Sequence, residues 1–435
     1  MIMETLYQKY CSCGYKVTTD SRAISGGEIF FALRGENFDG NNYAIKALDA
    51  GAACAVVNAD AELPEDERLI RVADPFETLR DLAIWHRTHV RDGKLPVVGL
   101  TGTNGKTTTK NLIEAVLSAK FKVTATKGNL NNDIGVPLSL LSITPETEIA
   151  VIEMGANHPD DIAKLVKVSQ PDYGLITNVG KAHLLGFGSF EGVKAAKGEL
   201  YKWLGAHRGS VIFVNEDDRD LRGMVALQPC HTYGYGIEYQ GAEILETSPE
   251  EPFLRISLGD DVIKTNLIGA YNATNVLAAL CVGEYFGVSR QDAIRAIEGF
   301  VPDNNRSQMV LTASNVLISD AYNANPSSMS AALDNFNAIN ADKKIALLGD
   351  MRELGEDSVN EHVKVIEKLL AYNLDACLVG DEFKKAVLKI GTDKFRLFTS
   401  SDDLAAFIGN NPFKDTLVLV KGSRGIQMEK TFPVL

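Results

Sequence analysis

Residues 99–112 read GLTGTNGKTTTKNL, and few stretches of a chain restrict its fold so tightly. The run 95–100 is apolar with two adjacent valines, as in a buried strand, while Leu112 and Val116, Ile113 and Leu117 recur at i,i+4, as on a helix. A strand therefore runs into a helix N-terminus. Gly102 and Gly105 let the backbone turn so that successive N–H groups point inward, where the helix dipole adds partial positive charge. An anion fits there. Lys106 is placed to reach β- and γ-phosphate oxygens and the Thr107 hydroxyl to ligate an accompanying Mg²⁺. The standard phosphate-loop pattern also wants a glycine at position 100, where this chain has Leu100, so the loop is a shortened variant. It predicts nucleoside triphosphate binding on an α/β sheet.

The chain has 435 residues, 45% hydrophobic and 23% charged, a globular composition with room for about three domains at ~150 residues each. Its formal net charge of −13 lacks the electrostatic footprint of a nucleic-acid or anionic-membrane binder. No nucleic-acid partner is expected. The start MIMETLYQK lacks a basic segment followed by an apolar one, no run of 18 apolar residues occurs, and the six cysteines form no CxxC pair. A cytoplasmic chain with reduced thiols and no membrane insertion is expected. His86 and His89, three apart on a predicted helix without an HExxH pattern, read as surface histidines.

Three units are predicted. Residues 1–92 hold short strand candidates at 28–33 and 53–57 around a turn-rich stretch, a small α/β domain. From 93 to 302, apolar strands at 97–100, 149–154, 173–179 and 211–214 alternate with helices, which argues for a mostly parallel sheet. After the turn-rich 302–305, strands at 316–319, 344–348, 376–379 and 416–420 restart the alternation in a Rossmann-like unit, 303–435.

In the central unit, Glu153 ends an apolar strand, where a carboxylate at the sheet edge can hold a metal beside the phosphate loop. The next strand leads to His183 and Lys197, which by themselves say little, since lone histidines and lysines are usually structural or solvated.

Resemblance makes these residues informative. TGTNGKTT, the strand ending EMGAN, NVGKAH and GAYNATNVLAAL together resemble the ATP-dependent Mur ligases. TDSR, NLNNDIGVPLSLL, DAYNANPSSM, LGDMRELGE and VKGSRGIQME narrow this to the MurF type, over nearly the whole chain. The resemblance implies a ligase of peptidoglycan and cell-wall biogenesis that joins D-alanyl-D-alanine to a UDP-N-acetylmuramoyl-tripeptide. It implies that Asp20, Ser21 and Arg22 meet the sugar nucleotide, Asn131 and Asn132 the sugar-peptide side, and Asn272 and Asn275 the adenine. Gly102, Thr103, Asn104, Gly105, Lys106, Thr107 and Thr108 would cradle the ATP phosphates, with Arg306 and Asp320 completing the nucleotide site from the last domain.

The implied reaction moves the γ-phosphoryl of ATP onto the tripeptide carboxylate, and the dipeptide amine then displaces phosphate from the acyl phosphate. Two anions must approach, so Lys106 and two Mg²⁺ ions would carry most of the transition-state stabilisation. The resemblance assigns Thr107 and Glu153 to one ion, His183 and a carbamylated Lys197 to the other; an unmodified Lys197 contacting phosphate is the competing reading. A monomer is expected. Other readings at this point are a sister Mur ligase or folylpolyglutamate synthetase-like enzyme with another acceptor, and a phosphate-loop ATPase that switches a binding surface.

Overall fold

The computed structural model describes residues 2–247, 251–302 and 308–435. Arg306 and most of the expected linker at 302–305 lie outside the described residues.

Three principal sheets follow one another along the chain. The first is a four-stranded parallel sheet in the order Val17–Thr18, Ile29–Phe31, Cys54–Asn58, Leu69–Val72. The central one has six parallel strands in the order His231–Tyr235, Val211–Asn215, Tyr173–Ile176, Val97–Thr101, Ile149–Glu153, Val123–Ala125. The third has six strands, Gln308–Leu311, Asn315–Asp320, Thr416–Lys421, Lys344–Gly349, Asp375–Val379 and Arg396–Phe398, of which only the first runs antiparallel. Among the described residues, no helix is long and apolar enough to cross a membrane.

Every residue of Val97–Thr101, Ile149–Glu153 and Val211–Asn215 is buried, which is why these strands read as continuous apolar runs rather than alternating ones. Helices cover both faces. The helix Lys106–Ser118 buries Leu112, Ile113, Val116 and Leu117 against Val276 and Leu280 of the helix Ala273–Tyr285, within one apolar cluster.

Register decides where the chemistry lies. Leu100 pairs with Glu153 and Thr101 with Ile176, so the three central strands end level and their loops share one edge of the sheet. Whereas the connection leaving Tyr173–Ile176 runs to Val211–Asn215 on one side, the strand Val97–Thr101, which lies between Ile149–Glu153 and Tyr173–Ile176, sends its own to Val123–Ala125 on the other. That divergence opens a crevice over its carboxyl end.

His86 corrects the surface reading. It is fully buried on the helix Pro75–His89, with Nε2 against the Ile143 carbonyl at 3.0 Å and Nδ1 against the Tyr7 hydroxyl at 3.3 Å. A carbonyl only accepts, so Nε2 carries the proton and Nδ1 accepts from Tyr7. Burial holds this imidazole down to about 4. The neutral ring is the one that folds, so its contribution to stability is complete above the unfolded value of about 6.5 and drains as pH falls toward the folded one. The loss should reach ~3 kcal/mol by pH 4. Urea denaturation of wild type and His86→Gln at pH 7 and pH 4.5 measures it; equal pH dependence in the two proteins would refute the assignment.

Candidate active site

The phosphate-loop glycines are dictated by their surroundings. Gly105 has φ +77, and a Cβ there would lie 2.7 Å from Asn275 Oδ1; a Cβ on Gly102, φ +150, would strike the Thr177 hydroxyl. Neither position admits an L side chain without displacing a neighbour. The loop is strapped from below: Thr103 N–H donates to the Asn178 carbonyl and Asn104 N–H to Asn178 Oδ1, both at 3.0 Å, and the Thr177 hydroxyl donates to the Asn104 carbonyl at 2.6 Å. These bonds explain why the strand expected over 173–179 ends at Ile176. Its last residues serve the loop, not the sheet. Gly105 then caps the helix Lys106–Ser118, whose first N–H groups, up to Thr108, point into the crevice with the positive end of the dipole. Lys106 folds back onto its own loop, donating to the carbonyls of Gly102 at 2.8 Å and Thr103 at 3.1 Å. Gly105→Ala should therefore weaken binding of a fluorescent ATP analogue by at least about tenfold, the combined cost of strain and lost backbone approach. Unchanged affinity in an equilibrium titration would contradict that account.

Glu153 is buried at the adjoining strand end with only 1% of its surface exposed. Its Oε1 accepts from Thr107 Oγ1 at 3.2 Å and from Asn131 Nδ2 at 2.8 Å, while Oε2 has no hydrogen-bond partner among the described residues. An orphaned buried carboxylate oxygen is costly unless a cation meets it. With the Thr107 hydroxyl beside it, the donor set is of hard-oxygen type and fits a divalent cation such as Mg²⁺.

Lys197, on the helix Phe190–Ala206, is 2% exposed. Its Nζ donates to the Ala156 carbonyl at 3.3 Å and sits 5.5 Å from the Phe187 ring centroid. Burial, reinforced by the nearby Lys106 charge, pulls its ammonium down to about 7. His183 has φ +50 and touches the Glu353 carboxylate through Nδ1; desolvation lowers its protonation range. Among the described residues no group of three or more His, Cys, Asp or Glu side chains gathers around one point. A second cation would need an oxygen that Lys197 as a plain amine does not offer.

The third sheet supplies the facing wall. Asn104 is the bridge, accepting from Asn325 Nδ2 at 2.7 Å and donating to Ser327 Oγ at 2.8 Å. Asp320 ends its strand with Oδ2 2.5 Å from Nζ of the fully buried Lys421, which also reaches the Asn323 carbonyl. Between the walls lies a cavity of about 900 Å³ whose lining includes Lys106, Glu153, His183, Asn275, Asp320 and Lys421.

Most of the residues singled out in the sequence converge here. Asn131, Asn132, Asn272 and Asn275 all border the cavity, although their amides are committed to the protein: Asn132 Oδ1 holds Gly135 N–H at 2.8 Å, and Asn275 joins Thr109 to Asn272. Asp20, Ser21 and Arg22 do not border it. They sit on the loop after Val17–Thr18, with the exposed Arg22 guanidinium folded onto Asp20 at 2.7 Å. Lys197 lies just behind the lining. Lys421 and Glu353 escaped sequence reading, since nothing local distinguishes them from other lysines and glutamates; their only signal is membership of VKGSRGIQME and LGDMRELGE.

Comparison with known proteins agrees with this architecture. Over 427 residues the chain is 33% identical to the UDP-N-acetylmuramoyl-tripeptide–D-alanyl-D-alanine ligase of Bacillus subtilis (strain 168), covering 95% of this chain and 91% of that one. The chain belongs to the Mur ligase family. This Mur ligase is also 35% identical over 436 residues to the equally named protein of Escherichia coli (strain K12), with 96% and 93% of the two chains covered. Family models described as Mur ligase family catalytic domain, Mur ligase middle domain and Mur ligase glutamate ligase domain match residues 15–85, 100–283 and 305–424. The solved structure of MurF from Acinetobacter baumannii superposes with a TM-score of 0.83 at 30% identity, covering 96% of this Mur ligase and 92% of that chain. MurF ligase from Thermotoga maritima in complex with ADP gives 0.81 at 28% identity, with 96% of each chain covered.

Proposed function

We propose that this chain is the ATP-dependent ligase that joins D-alanyl-D-alanine to a UDP-N-acetylmuramoyl-tripeptide through an acyl phosphate. The observation that carries the reading is the single cavity in which a phosphate loop, the half-satisfied Glu153 and residues of a second unit, Asp320 and Lys421, face one another. Relatives named for that reaction supply the substrate class.

In this reading residues 1–92 take the sugar nucleotide with Asp20, Ser21 and Arg22, residues 93–302 take ATP, and residues 303–435 close over both and receive the dipeptide. The phosphate loop fixes the γ-phosphoryl with its N–H groups, Lys106 neutralises charge on the transferring oxygens, and Asn131 turns the sugar-peptide carboxylate toward it. Asn272 and Asn275 shape the adenine end, with Asp320 opposite. Thr107 and Glu153 would hold one Mg²⁺, and His183 with carbamylated Lys197 a second. When bound, Mg²⁺ supplies electrostatic relief for the approach of two anions. The walls exclude water, which would otherwise hydrolyse the acyl phosphate. In the same reading the chain acts as a monomer in the cytoplasm, on soluble substrates.

Phosphate release from ATP, measured with each UDP-muramoyl peptide and with or without D-Ala-D-Ala, tests the assignment. Release should require both the tripeptide and the dipeptide. Slow release independent of both would instead fit a phosphate-loop regulator, and release with a shorter peptide and a single amino acid would fit a sister ligase.

A further inference from the structure

Three neighbouring parallel strands of the last unit, Asn315–Asp320, Thr416–Lys421 and Lys344–Gly349, bring their carboxyl ends to one edge of its sheet, with Thr416–Lys421 in the middle. Their loops are bolted together at Ser423. Its buried hydroxyl accepts from Arg352 N–H at 2.9 Å and donates to the Ala324 carbonyl at 3.3 Å, while its own N–H donates to the Asp350 carbonyl at 3.2 Å. Gly422 lets two of these loops touch, since a Cβ there would lie 2.7 Å from Met428 Cγ and 3.1 Å from the Gly349 Cα. Two arginines emerge from this knot. The Arg424 guanidinium lies over the Tyr322 ring, 5.5 Å from its centroid, and the Arg352 guanidinium lies over Gly425, where a Cβ would be only 2.5 Å from Nη1. Tyr322 borders the nucleotide cavity, so the arginine stacked on it stands at the rim.

Among the described residues neither guanidinium has a hydrogen-bond or ion-pair partner. The carboxylates closest to Arg352 in the chain are engaged elsewhere: Asp350 takes the N–H groups of Glu382 and Phe383, each at 3.0 Å, and Glu353 turns toward His183 across the seam. In a chain of net charge −13, two cations presented from one rigid knot thus lack an internal counter-ion. We propose that Arg352 and Arg424 bind the terminal carboxylate of the incoming dipeptide. A guanidinium is a planar fork that matches a carboxylate, and a ring stacked on the face of Arg424 leaves its in-plane N–H edge free to donate. Two extended residues span about 7 Å, so a dipeptide held at the rim by its carboxylate carries its amine into the cavity. The arginines read the end of the acceptor that does not react. Because Ser423 fixes the loops before any ligand arrives, little backbone ordering is spent on the capture.

The inference rests on the ligase reading above, and a cycle that removes one charge at a time separates the two. Phosphate release is measured with D-Ala-D-Ala and with its C-terminal amide, which keeps the amine and both methyl groups but has no carboxylate. Wild type should prefer the acid over the amide by about 10²-fold or more in kcat/KM. Arg352→Ala and Arg424→Ala should each lower kcat/KM for the acid about 10- to 100-fold, and the preference for acid over amide should shrink by the same factor. KM for ATP should move less than about threefold. Arg424→Lys, which keeps the charge and loses the fork, should fall between wild type and Arg424→Ala. Three results would each overturn the proposal: a wild type indifferent to amidation, variants that lose acid and amide turnover in equal measure, or variants whose loss lies in KM for ATP, which would make the arginines phosphate contacts. If wild type shows no dipeptide-dependent turnover at all, the ligase reading fails and the proposal with it; dipeptide-dependent turnover that ignores amidation removes the proposal alone.

Discussion

Lys106→Ala is expected to abolish ligation, lowering kcat/KM by at least about 10³-fold while leaving the fold intact, because phosphoryl transfer relies on fixed positive charge at the transferring oxygens. Lys106 sits in the first helical turn and folds onto the Gly102 and Thr103 carbonyls, so its ammonium is already within the loop that would take the phosphates. It belongs to no apolar cluster whose loss would unfold the sheet. Circular dichroism and thermal melting should match wild type. Turnover within tenfold of wild type would refute the phosphate-loop assignment.

Lys197→Ala is the second large effect, a loss of about 10²-fold or more if the side chain supplies a carboxylate to the site. The amine adds CO₂ through its lone pair and releases one proton, so the neutral form is required, and a cation becomes an anionic oxygen ligand. An ordinary lysine at pH 8 is less than about 1% neutral. Held at about 7 by burial among Ala156, Phe187 and its own helix, Lys197 is mostly neutral there. The sign of the pH dependence follows: below about 7 the ammonium form takes over, so activity should fall reversibly with acid, and further when CO₂ is removed. Short carboxylates such as acetate or formate should restore part of the activity of Lys197→Ala by entering the vacated volume. Mass spectrometry under mild conditions should find the 44 Da adduct on wild type and not on Lys197→Arg (mass from the CO₂ formula, about 44). Full activity in Lys197→Arg, which keeps the cation and cannot form the carbamate, would leave Lys197 as a simple phosphate contact.

Where sequence reading succeeded and failed has a physical pattern. Strands covered on both faces write themselves as apolar runs, so 97–100, 211–214, 344–348 and 416–420 were found within a residue or two of Val97–Thr101, Val211–Asn215, Lys344–Gly349 and Thr416–Lys421. The antiparallel strands Glu243–Ile244, Arg255–Leu258 and Asp261–Lys264 were missed because they are short and partly solvated. The phosphate loop was legible since its chemistry is contiguous. His86 was not, because a histidine on an amphipathic helix looks the same whether its face turns to water or to Tyr7 and Ile143. Glu353 and Lys421 lie against residues remote in the chain, His183 and Asp320, and only folding brings those pairs together.

Asn104 joins the phosphate loop to Asn325 and Ser327 through one side-chain amide. A compound filling the nucleotide cavity therefore binds a seam, not a bowl, and every contact it makes with the far wall is available only in molecules whose seam is shut. Its measured dissociation constant is the intrinsic one divided by the fraction of shut molecules. If one molecule in a hundred were shut at rest, a ligand spanning the seam would forfeit about a hundredfold in apparent affinity, while one confined to the loop side would forfeit nothing. Were the seam mostly open at rest, screening against the free enzyme would favour small, one-sided binders, and screening in the presence of any ligand that shuts it would favour those that stitch the two walls together.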